Sequence, residues 1–219
     1  PRLAPSFLRI GSFEALNGPT NMFFFGGGQQ KPHYEALRIL GEWVSTKVLK
    51  LGCKDGEAWG SKLVLDVARR NAKMVAAWQA YGFMHGVINT DNVSLLGLTI
   101  DYGPYAFMDV FDSFHICNHT DEGGRYAFRY QPSMIIYALR ALLTSLAHVI
   151  GAETELGGKA VSPSWADVSE EKLEEWKKIG LELRDELEKV AQEEMSLEYG
   201  RLMRKVCTFS WNHNTDSWA

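Results

Sequence analysis

Between Asn92 and Asp101 runs Val93-Ser94-Leu95-Leu96-Gly97-Leu98-Thr99-Ile100, largely apolar on both sides of one glycine. Such a run reads as two short strands turning at the glycine. A hairpin of that kind folds the Asn92 carboxamide and the Asp101 carboxylate back toward one point. An oxygen pair suits Mg²⁺, a hard cation that takes one or two protein ligands and completes its octahedron with nucleotide phosphates and water. Taken alone, Asn89-Thr90-Asp91-Asn92 also reads as an Asx turn and Asp101-Tyr102-Gly103-Pro104 as a β-turn. The two in order, with a strand-like run between them, point to a bound cation.

The elements around this segment follow from apolar spacing. Tyr34, Leu37, Leu40, Trp43, Val44 and Val48 recur at helical intervals and predict a helix ending near Gly52. Leu63, Val67, Met74, Ala77, Trp78 and Tyr81 predict a longer helix that delivers the chain to His85. Residues 105–131, rich in aromatics, Asp and Gly, read as an irregular segment too long to be without purpose. Gln131-Pro132 opens an apolar helix over 133–150, which Gly151 is expected to end. Asp167-Val168-Ser169-Glu170 resembles a capping box before one charged amphipathic helix, with Leu173, Trp176, Leu183, Leu187 and Val190 inward and its Glu and Lys runs solvated. Residues 207–219 lack periodicity and read as an unstructured tail.

Composition narrows the function classes. The net charge of −4 provides no electrostatic footprint for a nucleic acid or an anionic membrane. Three cysteines, Cys53, Cys117 and Cys207, are odd in number and lack C-x-x-C spacing, so a disulfide scaffold is not expected and a reducing compartment is. No apolar run is judged long enough to span a bilayer, so no membrane insertion is expected. Pro1 is not an initiator residue, and a targeting segment upstream remains open. His115-x-x-x-His119 with Cys117 and Asp112 offers zinc-type ligands, but the flanking sequence is poor helix material and favours a hydrogen-bonded structural role.

The spacing from His85 to Asn92, followed by Asp101-Tyr102-Gly103, resembles the protein-kinase H-R-D-x-x-x-x-N loop and D-F-G. Val87 stands where a kinase has its catalytic Asp, and cannot accept a proton. Three blocks make the likeness specific. They are Arg2-Leu3-Ala4-Pro5-Ser6-Phe7-Leu8-Arg9-Ile10-Gly11-Ser12-Phe13-Glu14, the Gly86–Asn92 loop with Thr99–Tyr105, and Cys117-Asn118-His119-Thr120-Asp121 with Gly124-Arg125-Tyr126 and Gln131-Pro132. Together they resemble the selenoprotein O family, kinase-like protein adenylyltransferases.

The resemblance implies an α+β, predominantly helical fold: a protein-kinase-like C-terminal lobe with a small catalytic β-hairpin. It implies a catalytic lower-lobe region over 1–150 and a C-terminal helical extension over 151–219, in a chain that lacks the N-terminal lobe. ATP would bind in a flipped orientation, with Mg²⁺ or Mn²⁺, and AMP would pass to Ser, Thr or Tyr hydroxyls of proteins. By position, Asn92 and Asp101 would be the metal ligands, Asp91 the base, and Arg2 and Arg9 the polyphosphate clamp, a role that fits the forked donors of guanidinium. Family expectation places the protein in mitochondria, with the cytosol as the alternative. Gly26-Gly27-Gly28 matches no phosphate-loop pattern, and Cys207 stands in no recognisable redox motif. Two other readings stay open: a non-catalytic nucleotide-binding pseudokinase module, and a conventional phosphotransferase using an unusual base.

Overall fold

The computed structural model describes residues 3–18 and 31–212, with the side chains of 208–212 excepted. Among these residues the chain is predominantly helical with one two-stranded antiparallel sheet, an α+β arrangement. The long helix α3 (Gly60–Tyr81) carries the predicted apolar stripe, with Leu63, Val67 and Trp78 buried. Gly82, in the left-handed conformation at φ 67°, ends it. Strand β1 (Phe83–Met84) follows and pairs with β2 (Ala106–Phe107) in the register Phe83↔Phe107 and Met84↔Ala106. These two-residue strands are too short to have shown a period of two.

Helix α1 (Ile10–Asn17) buries Ile10 and Phe13. Helix α2 (Tyr34–Trp43) runs on into a π-helical turn over Val44–Val48, so the segment predicted as one helix to Gly52 changes its winding midway. Helix α4 (Gln131–Glu155) is the central core element, with Ile135, Leu139, Leu142 and Leu146 at 0% exposure. Burying each such side chain contributes roughly 1.5–3 kcal/mol.

Two helix boundaries differ from expectation, the first through a close approach of two backbones. Gly151 does not terminate α4, which continues to Glu155. A Cβ at Gly151 would overlap the backbone of Trp176, and one at Gly180 would overlap the backbone of Ala147. Both glycines therefore let α4 and α5 (Glu170–Leu181) approach until backbone meets backbone. The start of α5 falls in the predicted segment, but the cap is Ser169, accepting from Lys172 N, two residues beyond the Asp167 that a capping box over 167–170 implies. The single charged helix expected after it is two, because the chain turns at Glu182 and Leu183 before α6 (Arg184–Asn212). The 207–219 tail is likewise helical as far as Asn212.

By length and composition the stretch Phe128–Glu155 could cross a membrane, which corrects the expectation that no apolar run is long enough. Two thirds of its most apolar window is buried inside the fold, as suits a core helix. Cys53, Cys117 and Cys207 are all free thiols.

Candidate active site

The loop from His85 to Gly103 is held from three directions. From below, α3 grips the predicted hairpin: Asn71, fully buried, donates from Nδ2 to Ser94 O at 3.0 Å, and Trp78 Nε1 donates to Thr99 Oγ1 at 3.0 Å. The hairpin itself is reduced to one antiparallel bridge, Val93↔Thr99, with a turn between. Gly97 makes that turn at φ 63°, where a Cβ would fall 2.5 Å from Arg70 O. The bridge leaves Asn92 one residue before its rung and Asp101 two residues after it, on the same end of the hairpin.

From the side, the first turn of α1 docks on the loop. Ile10 N donates to Val93 O and Gly11 N to Thr90 O, both at 3.0 Å, while Leu95 N donates to Leu8 O at 3.1 Å. Two of the amides that every helix leaves without an internal partner are thus satisfied by loop carbonyls. A Cβ at Gly11 would lie 2.5 Å from Asp91 Oδ1, so the glycine leaves that carboxylate its place against the helix, whereas a larger residue would push it aside. The partial positive charge of the helix N-terminus consequently sits beside the exposed Asp91 carboxylate. Arg9, also exposed, occupies the position before this turn and bridges Ser94 through its backbone.

From behind, Gln131 at the start of α4 is fully buried and acts through both ends of its carboxamide. Its Oε1 accepts from His85 N and its Nε2 donates to Phe83 O, each at 2.9 Å. His85 is 1% exposed; burial pushes its pKa below the usual histidine value, and the nearby Asp101 charge opposes that shift. Asn118 Nδ2 donates to Gly86 O at 3.0 Å, so the third sequence block closes over the loop.

Of the predicted site residues, Asp91, Asn92, Asp101 and Arg9 lie on or against this loop; Arg2 and Gly26-Gly27-Gly28 fall outside the described residues. Asn92 commits its Nδ2 to Val87 O at 3.1 Å, which leaves Oδ1 as the group's acceptor. With the half-buried Asp101 carboxylate it forms a donor set suited to a hard cation carrying phosphates. Among the described residues no group of three or more His, Cys, Asp or Glu side chains could hold a metal. The Cys117 thiol instead lies 3.8 Å from Met84 O.

Sequence reasoning missed Gly11, Asn71 and Gln131 as positioning residues. Gly11 and Gln131 stood inside the quoted blocks, but a hydrogen bond to a distant part of the backbone leaves no local pattern.

Fold and site thus define an α+β protein whose loop carries Asp91, Asn92 and Asp101 at one end of a bridged turn, held by α1, α3 and α4. The chain matches the family described as protein adenylyltransferase SelO over residues 1–214. It is 47% identical over 153 residues to the mitochondrial protein adenylyltransferase SelO of Schizosaccharomyces pombe, which covers 69% of this chain and 25% of that protein. To protein nucleotidyltransferases YdiU it is 40% identical over 176 residues in Ralstonia nicotianae, covering 78% and 31%, and 45% over 152 residues in Ectopseudomonas mendocina, covering 69% and 28%. The chain belongs to the protein adenylyltransferase SelO family. It spans about a quarter to a third of the length of these curated relatives.

Proposed function

We propose that this chain carries the catalytic loop of a kinase-like protein adenylyltransferase, which transfers AMP from ATP to Ser, Thr or Tyr hydroxyls of proteins. The observation that carries the reading is the meeting of Asp91 with the first turn of α1, beside the hairpin that brings Asn92 and Asp101 to one end. Relatives named as adenylyl- and nucleotidyltransferases support the reaction class.

Asp91 accepts the proton of the attacking hydroxyl. The hydroxyl oxygen bonds to the α-phosphorus as the bond from that phosphorus to pyrophosphate breaks, and pyrophosphate leaves. Asn92 Oδ1 and the Asp101 carboxylate would hold Mg²⁺, or Mn²⁺, which supplies charge neutralisation at the phosphates when bound. Arg9, with Arg2, holds the polyphosphate so that the α-phosphate faces the acceptor. Positioning and charge neutralisation carry most of such a transfer. His85, buried and tied through its backbone to Gln131, keeps the loop in place and exchanges no proton with substrate.

Residues 1–150 form the catalytic region and 151–219 the helical extension in this reading, a division of roles that α4 runs straight through. A mitochondrial location rests on the name of the yeast relative, and the cytosol is the alternative.

The test is incubation of the full-length protein with Mg²⁺ and ATP labelled at the α-phosphate, beside Asp101→Ala. Label on protein that vanishes in the variant supports adenylyl transfer. Transfer of a γ-phosphate label instead would make the protein a conventional phosphotransferase, and neither label would leave a nucleotide-binding pseudokinase module.

A further inference from the structure

Residues 102–116 place bulky apolar side chains in solvent on a backbone that is not free to retract them. Val110 is 82% exposed and Phe111 77%, and Phe107 and Phe114 are more than half exposed. A segment this apolar would bury itself if its backbone allowed. Here the backbone is fixed at intervals: β2 pairs with β1, Met108 N donates to Gly82 O at 2.9 Å, Arg129 N donates to Ser113 O at 3.0 Å, and Phe128 N donates to His115 O at 3.1 Å. Behind Phe111 lies a cavity of about 400 Å³, lined by Ala76, Phe128, Met195 and Tyr199, with Arg129 also on its wall. Its size takes one or two large side chains, and its methionine offers an adaptable wall. Several exposed apolar side chains on one segment with a rigid frame mark an interaction site.

Charge says which partner. Residues 101–123 contain Asp101, Asp109, Asp112, Asp121 and Glu122, and no Lys or Arg. Asp112 and Asp121 also accept backbone amides, from Phe114 and from Arg125 and Tyr126, which holds these charges in place. Arg129 and Arg125 border the segment with their guanidinium groups over the rings of Phe114, at 4.6 Å, and Tyr137, at 5.2 Å. An acidic, aromatic ledge repels a nucleic acid, an anionic bilayer and a second copy of itself, and attracts a polypeptide with apolar anchors between basic residues. The ledge is continuous with the catalytic loop at both ends, through Asp101 and through the bond from Asn118 to Gly86 O.

We propose that this ledge docks the acceptor polypeptide, selecting segments with a bulky apolar side chain flanked by Lys or Arg near the hydroxyl to be modified. The proposal rests on the adenylyl-transfer reading for its purpose, though docking itself needs no nucleotide.

The test is fluorescence anisotropy, without nucleotide, of the full-length protein with three labelled peptides: phenylalanines between arginines beside a serine, the same with glutamates for arginines, and the same with serines for phenylalanines. The first peptide should bind best, each of the others at least about tenfold more weakly, and Val110→Ser with Phe111→Ser should weaken the first by a similar factor. These positions are so exposed that the variant's Tm should stay within about 2 °C. Equal binding of basic and acidic peptides, or unchanged binding by the variant, overturns the ledge. So does a dimer that the variant dissociates while peptide binding persists, because the occupant is then a second copy. α-Phosphate labelling separates the two readings. Preferential binding with no label on any acceptor sinks the transfer and keeps the ledge. Label on other proteins, with an unchanged KM for the basic peptide in the variant, sinks the ledge and keeps the transfer.

Discussion

A side chain at Gly151 or Gly180 would strike the backbone of the facing helix, whereas one at Gly11 would strike the Asp91 carboxylate. The same absence of a Cβ is used in two ways. Between α4 and α5 it removes space, drawing two helices together until no solvent fits. At α1 it preserves space, keeping a charged group reachable while its neighbours are fixed. The helix pair is a solution to packing, and the loop region a solution to access. The two should therefore fail differently.

The largest separation is expected at Asp91. Asp91→Asn keeps shape and volume on an exposed side chain, so stability should hold, while AMP transfer should drop about 10²–10⁴-fold if the carboxylate is the general base. Single-turnover transfer of the α-phosphate label measures this, and a variant as active as wild type removes Asp91 from that role. The converse is Gly151→Ala, which forces α4 and α5 apart and should cost about 3 kcal/mol, read as a lower denaturation midpoint with transfer per folded molecule unchanged. If that variant lost transfer but kept its stability, the two regions would not be separate in function.

A single variant on α4 lets acid test the helical region. His148 on α4, 5% exposed, contacts Tyr34 at 3.4 Å and faces Lys177 and Glu174 from α5. Burial pushes its pKa down from 6.5 to about 4, with Lys177 adding to the shift and Glu174 opposing it. The unfolded chain then binds the proton more readily than the folded one. Stability from this group is complete above pH 6.5 and is lost as pH falls toward 4, by about 3 kcal/mol at most. Glu153, whose pKa burial raises to about 7, contributes the opposite slope over the same range, so the difference in urea midpoint between the wild type and His148→Phe, followed from pH 7 to 4, should carry the histidine slope alone. A difference that does not change with pH would remove His148 from acid sensitivity.

What could be read ahead of the structure divides along the same line. The stripe from Leu63 to Trp78 showed α3 because a helix repeats its buried face every turn. Gly151 misled because a glycine is read as a terminator when only its sequence neighbours are visible, and its true neighbour is Trp176. The break between α5 and α6 was hidden by a charge pattern that continues through it. At the site, motif spacing placed Asp91, Asn92 and Asp101 on one loop. Of their supports, Asn71 and Gln131 act through side chains bonded to distant backbone and Gly11 through its own amide and its lack of a Cβ, none of which any periodicity records.

The bonds from Ile10 N to Val93 O and Gly11 N to Thr90 O join residues about 80 positions apart. Closing so long a loop is slow compared with winding a helix, because chain entropy is lost before the contact rewards it. The Asp91 carboxylate consequently comes to rest against α1 only after the intervening α2 and α3 have found their places. A chain caught partway through folding would have helices without reactivity, so the order of assembly itself withholds chemistry from an unfinished molecule.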